Sequence, residues 1–258
     1  MTRAVIALAL IARVAAADPP RARHRVAREI SLAVALGLYI TSETVAKDTL
    51  APERCRWCAV NGLDDAVHGS LTWGNAGRAG TLSNLAGFAV APLGTAGVLA
   101  LASHARGAPW IDYGDDLLTV AEAAIYGEIV IQALKFSVGR QRPDAHFGPA
   151  SRTPSNDDNV SFPSAHSALT FALATAAGEI AHRRHDALEP VIWATGMTLA
   201  GTTAYLRIAA EKHYLTDVVA GGAIGVAAGL VIPRLVGGLP GDVQVVPTGN
   251  GVALAGAF

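Results

Sequence analysis

Residues Thr203–Ala220 read TAYLRIAAEKHYLTDVVA, two apolar runs that meet at a short polar elbow carrying Arg207, His213 and Asp217. Apolar runs of this composition on either side of so short a break predict two helices that reverse direction at the elbow. His213 and Asp217 are four residues apart, a spacing that places both on one helix face and lets the carboxylate reach an imidazole nitrogen. Arg207 precedes the histidine by six residues, at the end of the first run. Together they make a place where an anion could sit.

Working outward, apolar segments recur at about 30–49, 82–104, 117–138, 163–182, 190–209 and 214–236, and long alternating patterns are missing. The expectation is an all-α bundle of about six helices. Segment 82–104, LSNLAGFAVAPLGTAGVLALASH, has no Lys, Arg, Asp or Glu over a bilayer-length window and is the best spanning candidate. The 30–49 segment carries Glu43, Lys47 and Asp48 and is the weakest. Of the 258 residues 51% are hydrophobic and 16% charged. Mean hydropathy is +0.35, more apolar than most soluble enzymes. A formal net charge of −1 shows no basic face and argues against a nucleic-acid partner.

The start, MTRAVIALALIARVAAADPP, has Arg3, an apolar stretch and small residues up to Ala17, the form of a secretory signal peptide over 1–17. The helical domain is then expected over 18–238 and a tail over 239–258, where Gly249-Asn250-Gly251 between alternating apolar stretches predicts a short β-hairpin. Cys55 and Cys58, the only cysteines, lack the partners a zinc site needs and read as a local disulfide in an exported chain. Connections 51–81 and 139–162 are long and polar, as functional loops often are.

The second of these lies in KFSVGRQRPDAHFGPASRTPSNDDNVSFPSAH, residues 135–166. Lys135 ends an apolar helix, and Arg142 follows immediately before Pro143, which limits helix continuation. Ser164 after Pro163 marks a helix start, so the backbone N–H groups near Ala165 and His166 are free to bind an anion. Three cations, a hydroxyl, a helix N-terminus and two imidazoles match phosphate oxygens. His68, His104, His146, His182 and His185 read as structural, and the acidic run at Asp157 and Asp158 as a solvated loop without a metal.

Lys135 to Pro143 (K-x-x-x-x-x-x-R-P), Pro163 to His166 (P-S-A-H) and Arg207 to Asp217 (R-x-x-x-x-x-H-x-x-x-D) resemble, in order and spacing, the type 2 phosphatidic acid phosphatase family. Its superfamily includes bacterial non-specific acid phosphatases and vanadium haloperoxidases. The resemblance covers about 117–236. Ala165 replaces the usual Gly and Leu206 the usual Ser, and neither change removes a group with a chemical role. The resemblance implies a PAP2-like bundle and a metal-free phosphatase without cofactor. In it His213 is the nucleophile that forms a phosphohistidine, Asp217 orients His213, and His166 is the general acid and base. Lys135, Arg142, Ser164, Ala165 and Arg207 bind the phosphate.

Four functions stand open at this point: a lipid or isoprenoid phosphate phosphatase, a soluble periplasmic acid phosphatase, a vanadium-dependent haloperoxidase, and a non-catalytic phospholipid-binding membrane protein. The first is favoured, with a phosphorylated lipid as partner and a bacterial-type inner membrane as location. Its site is expected to face the periplasm or exterior, with a soluble periplasmic bundle as the alternative. Basic residues Arg21 to Arg28 and His182 to His185 fall at the end of the bundle opposite the motifs and fit an inside flank.

Overall fold

The apolar runs form long helices in the computed structural model, which describes residues 20–236, 244–248 and 251–255, with side chains over 24–236. Seven helices carry the architecture: α1 Pro20–Thr44, α2 Gly62–Leu71, α3 Ala76–Ala105, α4 Trp110–Val138, α5 Ala165–Arg183, α6 Glu189–Ala209 and α7 Leu215–Val236. All but α2 correspond to the six apolar segments. The proposed signal peptide lies outside the described residues. Beyond α7, Gln244–Thr248 pairs antiparallel with Gly251–Ala255.

Several features differ from the sequence expectation, among them the earlier starts of α3 at Ala76 and α4 at Trp110. Helix α1 begins at Pro20, so the basic entry segment is helical; Arg28 reaches across to the buried Glu122 and Thr119 of α4. The 51–81 connection contains α2, started by Asn61, whose side chain accepts from the Asp64 N–H at 2.9 Å. Two glycines in α2 lower its helix propensity and hide it from a periodicity reading. Helix α3 passes through a π-helical turn at Ala86–Val90.

Helix α5 is the axis of the bundle, buried along nearly its whole length. Helix α7 runs parallel to it at very short range, because Gly221, Gly225 and Gly229 repeat every fourth residue against Ser164, Ala168, Ala172 and Ala176. A Cβ added at any of the three would fall within 3.0 Å of α5 atoms. Without side chains in the way the two backbones gain dispersion contact, which is how apolar helices associate where water provides no driving force. Opposite, α6 seats Trp193 in the gap left by Gly178.

The helices alternate in direction. Arg28 meets Glu122, Ser31 meets Tyr126 and Glu43 meets Lys135, so α1 and α4 are parallel. One end of the bundle therefore gathers the C-termini of α1, α4 and α6 and the N-termini of α3, α5 and α7. Helices α3, α4 and α7 are long and apolar enough to cross a membrane. Their outward surfaces expose Leu93, Leu101, Val130, Val219 and Val231.

Candidate active site

The residues named from sequence meet at that one end. Lys135 lies in the last turn of α4, Arg142 just beyond it, Ser164 at the N-cap of α5, Ala165 and His166 in its first turn, Arg207 in the last turn of α6, His213 in the elbow and Asp217 in the first turn of α7. All but His166 are buried. Burial first, then Arg207, with Arg142 and Lys135 adding to it, lower the proton affinity of both imidazoles.

Each cation is held by its neighbours. Arg142 donates through Nε to the Asp157 carbonyl at 2.8 Å and through Nη1 to the Lys212 carbonyl at 3.0 Å. Lys135 Nζ lies 3.4 Å from Glu43 Oε1, which also accepts from Gln132 at 2.8 Å. Arg207 Nη1 donates to Ser83 Oγ at 3.2 Å and Asn84 Oδ1 at 3.4 Å, while its buried Nε has no hydrogen-bond partner. A buried guanidinium N–H without an acceptor is costly, and a phosphate oxygen satisfies it well. The Ser164 hydroxyl accepts from the Ser167 N–H and hydroxyl, so its own proton remains to donate.

His213 departs from the shared-face expectation. Helix α7 starts at Leu215, so the imidazole lies ahead of the helix and not on its surface. Its Nδ1 donates to the Ser161 carbonyl at 2.7 Å and is 3.7 Å from Asp217 Oδ2. A carbonyl can only accept, so Nδ1 carries the proton and Nε2 keeps its lone pair. Asp217 Oδ2 instead accepts from the Ser161 hydroxyl at 2.6 Å and the Tyr214 N–H at 2.9 Å. Ser161 thus bonds both Asp217, through its hydroxyl, and His213, through its carbonyl. Burial, then Arg207, Arg142 and Lys135, push His213 well below the ordinary imidazole range, with only the Ser161 bond acting the other way. His213 is therefore neutral at pH 7.

His166 donates from Nε2 to Asn84 Oδ1 at 2.8 Å. Arg207 also points donors at that oxygen, which fixes the amide orientation. The ring lies 4.4 Å from Phe88, and a Cβ at Gly87 would approach it to 3.1 Å. The π-helical turn of α3 thus shapes the floor under His166.

Sequence reasoning missed Ser83, Asn84, Ser161, Glu43, Asp64 and Arg140. Two signals were available: Glu43 is a carboxylate late in an otherwise apolar helix, and Arg140 is a second arginine inside the K-to-P motif. The acidic run is also not simply solvated, since Asp158 and Asn159 are buried and Asp157 bridges Lys47 at 2.6 Å and Arg142 at 3.3 Å. Burial opposes ionisation of Asp157, but Arg142 and Lys47 overcome it and hold the carboxyl well below its ordinary range. Among the described residues no three His, Cys, Asp or Glu side chains are grouped to hold a metal.

Residues 116–239, which contain all three motifs, match the PAP2 superfamily. This segment belongs to that superfamily. Over 100 residues the chain is 34% identical to lipid A 1-phosphatase of Porphyromonas gingivalis, a match that takes in 39% of this chain and 19% of that protein. The matched stretch is thus about a fifth of the length of this curated relative. The structure also aligns with that of a transmembrane PAP2 type phosphatidylglycerolphosphate phosphatase from Bacillus subtilis, at TM-score 0.47 and 18% identity over 79% of this chain and 92% of the other.

Proposed function

We propose that the chain is a membrane-embedded phosphatase that hydrolyses phosphate esters of a lipid through a phosphohistidine. The observation that carries this reading is His213, neutral and fixed with Nε2 unprotonated, beside three buried cations of which Arg207 has an unsatisfied N–H. The phosphoryl group lies among Lys135, Arg142, Arg207, the Ser164 hydroxyl and the first amides of α5, which stabilise the charge on its oxygens. His213 Nε2 attacks phosphorus as the P–O bond to the lipid breaks, and His166, which burial and then Arg207 keep neutral before substrate binds, takes up a proton when the anionic phosphate binds and gives it to the leaving oxygen. His166 then takes a proton from water, whose oxygen attacks phosphorus; the P–N bond breaks and orthophosphate leaves. Membership of the PAP2 superfamily and the lipid phosphatase named above support a lipid leaving group.

The test is orthophosphate release by the purified protein from a detergent-dispersed lipid phosphate and from a soluble aryl phosphate, each with EDTA present. EDTA-resistant release with higher kcat/KM on the lipid is expected. Equal efficiency on both, independent of detergent, would replace this reading with the soluble acid phosphatase; no release from either would end both.

The site is proposed to face the oxidising exterior. Cys55 and Cys58 are joined by a disulfide at the motif end, and such bonds persist outside the cytosol. Arg25, Arg28, Arg106 and Arg184 lie at the other end, where a cytoplasmic flank is basic. In intact spheroplasts, a membrane-impermeant maleimide should label a cysteine placed at exposed Leu63 after blocking of native thiols, and should fail to label one placed at exposed Ala187. The reverse pattern sinks the orientation.

A further inference from the structure

We infer that Arg140, clamped by the disulfide-closed Cys55–Cys58 loop, is a positioning residue that sets the reactive geometry of His213. The inference rests on the phosphatase reading above.

Arg140 is completely buried, and its guanidinium lies between two aromatic faces, 4.1 Å from the Trp57 ring centroid and 4.2 Å from that of Tyr214. Its fork reaches two carboxylates at once: Nη1 donates to Asp217 at 2.5 Å and to Thr216 Oγ1 at 2.6 Å, and Nη2 to Asp64 at 2.7 Å. Asp64, from α2, also accepts from the Thr216 N–H at 3.0 Å and so tethers the start of α7. Only a planar guanidinium can stack on both rings while bonding in both directions.

The loop holds the backbone as well as the side chain. Arg56 and Trp57 donate their N–H groups to the Gly139 carbonyl at 2.8 and 3.2 Å, and Gln141 donates to the Trp57 carbonyl at 3.1 Å. Arg56 also reaches the Ser137 carbonyl at the end of α4 at 2.8 Å. Gly139 permits this by its φ of +64°, and a Cβ there would meet Pro52 and Arg56 at 3.1 and 3.2 Å. On the other side of Arg140, its carbonyl accepts from the Ser161 N–H at 2.9 Å. Ser161 then bonds both Asp217 and His213. One continuous path therefore runs from Trp57 through Arg140 and Ser161 to the imidazole.

The phosphate cations are not part of that path, so disturbing it should change turnover and leave substrate binding alone. Trp57 is partly exposed and can be replaced without opening the core. Trp57→Leu should lower kcat about tenfold, and Arg140→Lys about a hundredfold, with KM within about twofold of wild type. Trp57→Phe keeps an aromatic face and should recover most of kcat. In ¹⁵N spectra His213 should hold a single Nδ1–H tautomer in wild type and lose it in Trp57→Leu and Arg140→Lys, a readout that needs no turnover. Wild-type kcat and tautomer in both variants, or a rise in KM at constant kcat, would overturn the inference. A wild type that releases no phosphate yet shows the tautomer change would instead remove the phosphatase reading and keep the positioning role.

Discussion

His213→Ala releases orthophosphate at least about a thousandfold more slowly than wild type, the loss that follows when a nucleophile is removed from a site whose other groups remain. The buried volume at His213 shrinks, but Arg207, Arg142 and Lys135 keep their own partners, so orthophosphate binding should survive. Quenched wild type should carry a phosphoryl group on nitrogen, stable in alkali and lost in acid; His213→Ala should carry none. A variant that keeps wild-type turnover would assign the nucleophile elsewhere. Acidity adds an independent check. The nucleophile must be neutral, and burial, with the cations adding to it, holds the folded-state pKa of His213 below the ordinary value, so lowering the pH through about 6.5 should not itself charge this ring. Removing a cation raises the pKa, and Arg142→Gln should move the acid limb of kcat/KM to higher pH. A limb that stays put or moves down contradicts this electrostatic account.

Gly225→Val should abolish accumulation of folded protein, or leave it with a sharply lower thermal midpoint in detergent. Even a methyl at Gly225 collides with the Ala168 carbonyl and reaches the Ala172 N–H at 3.0 Å. These are backbone atoms of the most buried helix and cannot rotate away. Overpacking of this kind costs about 1–3 kcal/mol when side chains can adjust, and more when two helices must separate. The motion would also pull Asp217 from Ser164, whose N–H donates to the Asp217 carbonyl at 3.0 Å. Gly94→Val is the control, because nothing lies within 4 Å of a Cβ there. Equal midpoints for the two variants would show that close packing of α5 and α7 is not what holds the bundle.

The six long helices were legible because their apolar runs are long enough to outvote local punctuation. Helix α2 was not, because its stability comes from Asp64 bonding Arg140 and Thr216, contacts made across 76 and 152 residues of sequence. The candidate site divides in the same way. Residues with a direct chemical signature, such as His213 or Arg207, stood out against apolar surroundings. Asn84 and Ser161 did not, since an amide and a hydroxyl at helix ends have many ordinary uses. The geometry of His213 was misjudged for a definite reason: four-residue spacing implies a shared face only inside a helix, and α7 begins two residues too late.

Alternation of the helices has a further effect at the motif end. Lys135 and Arg207 occupy the carbonyl ends of α4 and α6, while Asp217 and the proposed phosphate lie at the amide ends of α7 and α5. Each of these four charges thus meets a peptide terminus of opposite polarity, whereas Glu43, in the last turn of α1, is held by Lys135 and Lys47 instead. Chain direction itself writes the sign pattern of the site. A reversed direction of α4 to α7 could keep the same side chains and the same shape, yet would set those four ions against like poles.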